Sequence, residues 1–166
     1  MIIAIDPGKH ECGLAAVHAG ALLWAGLARR GAGEDMAQVA VDMLFEALRI
    51  PDGFELVMEK PQIYTDQHRK GSQEPLIDLA IILGRITGLL THSWDFVQAF
   101  YEPGQWKGQV PKPIHHARLK ARLTVIQPKW TEHVAWPIKT LQHNVLDAIG
   151  LAFHHDKVLT SRAAAR

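Results

Sequence analysis

Met1-Ile2-Ile3-Ala4-Ile5-Asp6-Pro7-Gly8 opens the chain with a short, continuous apolar run that stops on one carboxylate at a tight turn. Ile2 to Ile5 is too short for a helix, rich in β-branched residues and broken at once by Pro7-Gly8, so it reads as a central strand. Asp6 therefore stands at a strand end, beside a core. Two readings of it are open here: a turn residue bonding backbone amides, or the first member of a site. The pattern repeats downstream, where Phe54 to Met58 reads as a second buried strand ending on Glu59 and followed by Lys60-Pro61. Phe96 to Tyr101 is a third candidate core strand, and Glu102 to Gly108 reads as the loop after it.

Between the first two core strands, Gly13 to His18 and Ala21 to Ala28 read as two further strands around the His18-Ala19-Gly20 turn and complete a meander with the opening strand. Met36, Val39, Ala40, Met43, Leu44, Ala47 and Leu48 recur at helical spacing, with Glu34 and Asp35 suiting the helix start and Pro51 its end. Further helices are expected over about Pro75 to Leu90, Pro113 to Ile126 and Leu141 to His155. Gly84 and Gly88 share one face of the first of these. Because glycine costs about 1 kcal/mol per helix position, the pair suggests a close backbone, either the sheet or a partner subunit. In the last helix Asp147 is embedded among Val145, Leu146, Ile149 and Leu151, and an embedded carboxylate needs a partner. Asn144 lies one turn before it, with His143 alongside.

A chain of 166 residues with 48% hydrophobic content supports one sizeable core rather than two domains. The expected domain is 1–158, with 159–166 as a fraying tail. No run of about 20 apolar residues indicates a membrane span, and no signal-type segment opens the chain. The single cysteine, Cys12, suits a reducing compartment and small-residue packing. The net charge of +1 hides an asymmetry: residues 1–100 carry 8 Lys/Arg against 13 Asp/Glu, and residues 101–166 carry 10 against 4. The carboxyl-terminal cations, with Trp106 and Trp130 among them, suit either a polyanion-binding surface or an ordinary solvated helix face.

Three carboxylates, Asp6, Glu59 and Asp147, thus occupy two strand ends and an apolar helix. Brought together they would repel and raise one another's pKa unless a cation neutralised them; hard oxygen donors with one imidazole favour Mg²⁺ or Mn²⁺. Two such ions about 4 Å apart activate water and stabilise the leaving oxygen of a phosphodiester. Spacing leaves separate structural carboxylates as the open alternative.

Taken in order, Ile3-Ala4-Ile5-Asp6-Pro7-Gly8 with Gly13-Leu14-Ala15, Val57-Met58-Glu59-Lys60-Pro61, Leu83-Gly84-Arg85-Ile86-Thr87-Gly88, Trp106-Lys107-Gly108 and His143 to Ala152 resemble the RuvC-like Holliday junction resolvases over nearly the whole chain. The resemblance implies an α/β fold of the RNase H-like kind, a mixed five-stranded sheet flanked by helices, in a homodimer that cuts four-way DNA junctions with Mg²⁺ or Mn²⁺. It implies a cytoplasmic protein of a bacterial cell or phage-infected host. Asp6, Glu59 and Asp147 match the family's metal carboxylates. A fourth ligand, usually Asp or His one turn before the last Asp, falls at Asn144 here, a departure that leaves the role between Asn144 and His143. His143 is favoured, as an imidazole ligand and a general acid or base. Lys107 and Lys112 match basic positions near the scissile phosphate, with Lys107 expected to offset transition-state charge. Lys9 and Lys60 are candidate DNA contacts, as are Tyr64, Arg69 and Lys70 in the loop after Glu59, where Tyr64 would stack on an unpaired base. His115 and His116 receive no role. Competing readings are an RNA-processing nuclease of the YqgF-like type, a noncatalytic junction-binding protein, and an actin-like or sugar-kinase-like ATP-binding module, for which 166 residues leave scarce room.

Overall fold

The computed structural model describes residues 1–61 and 74–164. Five strands form one sheet: β1 (Ile2–Asp6), β2 (Glu11–His18), β3 (Ala21–Arg29), β4 (Phe54–Glu59) and β5 (Phe96–Tyr101). Their spatial order is β3-β2-β1-β4-β5. The β1–β2 and β2–β3 pairs are antiparallel, whereas β1–β4 and β4–β5 are parallel. The β2–β3 hairpin turns through Ala19 (φ 49°) and Gly20 (φ 77°), as a two-residue turn with positive φ at both centres requires.

Among the described residues five α-helices accompany the sheet: α1 (Met36–Ala47), α2 (Glu74–Thr91), α3 (Pro103–Trp106), α4 (Lys112–Ile126) and α5 (Gln142–Ala164). Asp35 caps α1 by accepting from the Ala37 and Gln38 amides, which satisfies two donors the helix start leaves free. No helix among the described residues is long and apolar enough to cross a membrane.

The period of two along each strand divides the core. Ile3 and Ile5 of β1 and Phe54, Leu56 and Met58 of β4 pack with Met36, Ala40 and Leu44 of α1 and Leu83, Ile86 and Leu90 of α2. Ile2 and Ala4, Ala15 and Val17, and Val57 point the other way, onto Val145, Ile149 and Ala152 of α5. By the same alternation Asp6, two residues beyond Ala4, and Glu59, two beyond Val57, lie on the α5 face. The sheet register decides which helix the two strand-end carboxylates meet.

Four expectations change. The last helix does not stop at His155 but continues to Ala164, so residues 159–164 are helical rather than a frayed tail. The apolar pattern weakens near His155, yet no Gly or Pro follows to break the helix. Strand β5 is an edge, with Val97 67% and Phe100 47% exposed, not a core strand. Among the described residues, a Cβ at Gly84 or Gly88 would meet nothing within 4 Å, so the sheet is not the close backbone, and the partner-subunit alternative is the one left open. Trp106 stands in a one-turn helix rather than in a loop.

Candidate active site

Asp6 ends β1, Glu59 ends the parallel neighbour β4, and Asp147 lies one turn after Asn144 on α5. Close packing at one glycine brings α5 to this strand end. Gly13 pairs with Asp6 across β1–β2, and a Cβ on it would lie 2.0 Å from the Asn144 carbonyl oxygen. Any side chain there would lift the start of α5 off the sheet. With glycine, Asp147 settles into the electrostatic reach of Asp6, as does Glu59.

The three carboxylates differ in their partners. Asp147 is buried, at 1% exposure. Its Oδ2 takes the Lys112 ammonium at 2.5 Å and its Oδ1 accepts from His116 Nε2 at 2.7 Å. Burial alone would push its pKa up, but these hydrogen bonds and the adjoining positive charge hold it below the usual carboxylate range. Glu59 Oε2 accepts from Trp106 Nε1 at 2.8 Å and from Lys107 Nζ at 3.2 Å. The Lys107 ammonium also lies 4.8 Å from the Trp106 ring centre. Burial works against the Lys107 charge, and Glu59 and Asp147 outweigh it, so the ammonium is held more firmly than usual.

Asp6 has neither hydrogen-bond donor nor ion pair among the described residues. Burial first, then repulsion from Asp147 and Glu59, raises its pKa well above the usual carboxylate value. Lys112 and Lys107 offset this only in part. A half-buried carboxylate with free oxygens and two carboxylate neighbours is a chemical fit for a hard divalent cation. Glu59 and Asp147 supply further oxygen donors, although Lys107 and Lys112 neutralise them here. Among the described residues, no three His, Cys, Asp or Glu side chains stand close enough to hold a metal ion as placed.

Of the other candidate residues, Lys107 and Lys112 join the cluster. His143 Nδ1 bonds the carbonyl of Thr140, in the short turn just before α5, at 2.8 Å, and Asn144 presents its backbone to Gly13. Lys9 pairs with Asp78 at 2.6 Å and Lys60 with Glu102 at 3.4 Å. Tyr64, Arg69 and Lys70 lie outside the described residues.

Two side chains that bond the carboxylates, His116 and Trp106, are given no role at the site by the sequence reading. His116 binds the buried carboxylate, and its signal is positional: it lies four residues after Lys112, on the same face of α4. Trp106 orients Glu59 through its indole N–H. Gly150 admits this tryptophan, since a Cβ there would sit 2.8 Å from Trp106 Cζ3 and 3.1 Å from His115 Nε2.

No protein-family model and no curated protein sequence matches the chain. Solved structures do. RuvC of Thermus thermophilus in complex with a Holliday junction superposes with a TM-score of 0.65 at 18% identity, over 93% of this chain and 91% of that one. A second Thermus thermophilus RuvC structure gives 0.58 at 16% identity, over 93% and 92%. The fowlpox virus resolvase, solved with Holliday junction DNA, gives 0.52 at 13% identity, over 95% and 99%. With its mixed five-stranded sheet, flanking helices and full-length superposition, the chain has the fold of the RuvC-like Holliday junction resolvases.

Proposed function

We propose that this protein is a metal-dependent, structure-selective endodeoxyribonuclease that resolves four-way DNA junctions. One observation carries the reading: Asp6, Glu59 and Asp147 converge at one sheet end with two lysines among them, in a fold shared with proteins solved on junction DNA. A solely structural role explains the placement poorly, because Asp6 gains no compensating partner among the described residues and its charge opposes burial.

Asp6, Glu59 and Asp147 would hold Mg²⁺ or Mn²⁺, two ions in the complete site, with His143 or Asn144 as the remaining candidate ligand. When bound, such ions supply an activated water and shield the leaving oxygen. The protein's own contribution is fixed charge and orientation. His116 and Lys112 keep Asp147 ionised and aimed. Trp106 holds the Glu59 carboxylate from the side, and the Lys107 ammonium beside it offsets negative charge developing on a transferring phosphoryl group. Lys9 and Lys60, with Tyr64, Arg69 and Lys70 in the loop after Glu59, remain proposed DNA contacts. Paired incision calls for a homodimer, and the open Gly84–Gly88 face with the exposed β5 edge suits a second copy. The proposed setting is cytoplasmic.

The test is cleavage of a synthetic four-way junction with Mg²⁺ or Mn²⁺, compared with linear duplex and with structured RNA. Symmetric incision of the junction, lost in Asp6→Asn and Glu59→Gln, is expected. Full cleavage by Asp6→Asn refutes the site, preferential RNA cleavage favours the RNA-processing alternative, and tight junction binding without cleavage favours a noncatalytic binder.

A further inference from the structure

Helices α4 and α5 run side by side away from the carboxylates. At their near end Lys112 and His116 join Asp147; one turn on, His115 meets Gly150. Beyond that point the two helices leave a cavity of about 250 Å³ between them, lined by Trp106, His115, Arg118, Arg122, His154 and Lys157 among others. The catalytic description uses none of this pocket except Trp106, whose indole N–H points back to Glu59.

Its chemistry is one-sided. The described lining includes no carboxylate, and Arg118, Arg122 and Lys157 are exposed and form no ion pair among the described residues. Asp156, the nearest acidic residue along α5, faces the β2–β3 turn instead, with an oxygen 3.9 Å from where a Gly20 Cβ would stand. His115 Nε2 is buried without a hydrogen-bond partner. Both ring groups are held below the usual imidazole range, His115 by burial, then by His116, Lys107 and Arg118, and His154 by burial, then by His155 and Lys157. Burial is the largest cause for both rings, and Asp147 works the other way on His115; the one-sided charge of the groove comes from Arg118, Arg122 and Lys157, which an anion would neutralise.

We propose that the α4–α5 groove is a DNA-backbone site that holds phosphates of the strand leading away from the catalytic carboxylates. The proposal rests on the nuclease reading for its direction, because Trp106, at the groove's near end, bonds Glu59. From His115 to Arg122 the groove rises about 10 Å along α4, enough to follow a strand over one or two nucleotides. Arginine forks grip phosphate oxygens in pairs, and Lys157 closes the far side from α5. Such contacts position the duplex arm without reading its bases.

The experiment measures junction binding by the full chain, without divalent ions, across about 50 to 200 mM salt. Each phosphate that a variant no longer neutralises lowers the log–log salt slope by about 0.9. Arg118→Ala/Arg122→Ala is expected to lower it by about 2, and Lys157→Ala by about 1. Arg49→Ala removes an exposed cation on the α1 side of the sheet and is expected to leave the slope unchanged. Wild-type slopes in the groove variants, or an equal drop in Arg49→Ala, overturn the groove. If the protein cleaves junctions while the groove variants keep the wild-type slope, the groove fails and the nuclease stands. If the slopes fall as expected but nothing is cleaved, the nuclease fails and the groove stands. Absence of any DNA binding overturns both.

Discussion

Removing His116 should uncouple Asp147 from its main hydrogen-bond donor on α4, and a double-mutant cycle can isolate that interaction. The two side chains are 11% and 2% exposed and their polar atoms lie 2.7 Å apart, so solvent neither replaces nor screens the bond. A hydrogen bond to a charged group contributes about 1.5–3 kcal/mol, and Lys112 remains on the other Asp147 oxygen, which places the coupling near the lower end, about 2 kcal/mol. The packing that His116→Ala removes appears in both legs of the cycle and cancels. The variants are His116→Ala, Asp147→Asn and their combination, unfolded in urea at pH 7 without divalent ions. For a chain of this size, His116→Ala should also lower Tm by about 4–8 °C. A coupling below about 0.5 kcal/mol, within ordinary additivity scatter, would refute the bond as a determinant of Asp147. The pH dependence gives a second reading. The Asp147 pKa is depressed in the folded chain, so its stabilising contribution is fully present above the ordinary carboxylate pKa and is lost as pH falls through the folded value. The stability difference between wild type and Asp147→Asn should therefore shrink below about pH 4.

Asp6 behaves in the opposite sense. Its folded pKa is raised, so the folded chain keeps a proton that the unfolded chain releases, and stability falls as pH rises from about pH 4 through the raised value. Asp6→Asn should remove that fall, and coincident Tm–pH profiles for the two proteins in the absence of divalent ions would contradict an unpaired, half-buried carboxylate. Trp106→Phe keeps an aromatic ring, smaller than the indole, and removes the N–H from Glu59; we expect about 1–3 kcal/mol of destabilisation from the lost bond and packing, and roughly tenfold slower junction cleavage at unchanged affinity. An unchanged rate would show that this bond does not position Glu59.

Much of the fold was legible because its signals are local. Ile2–Asp6 and Phe54–Glu59 carry continuous apolar runs with abrupt ends, and the observed strands match them. The apolar stripe of α1 was equally plain, and α2 was expected over about Pro75 to Leu90. Boundaries failed where pattern and propensity part company: α5 outlasts its apolar stripe because nothing after His155 interrupts a helix. The exposure of β5 was also hidden, since a strand's edge position depends on which strands pair with it.

By itself the sequence determined the kinds of elements, their order, and the placement of Asp6 and Glu59 at strand ends with Asp147 on a late helix. A period of two even assigns both strand carboxylates to one face once the strands are parallel and in register. Only the tertiary structure decided that α5 covers that face, because this depends on Gly13 accepting the Asn144 backbone from across the chain. It alone paired His116 and Lys112 with Asp147, Trp106 and Lys107 with Glu59, and left Asp6 without a donor among the described residues. Such pairs join residues separated by 31 to 48 positions, and no local pattern records a distance that only packing sets.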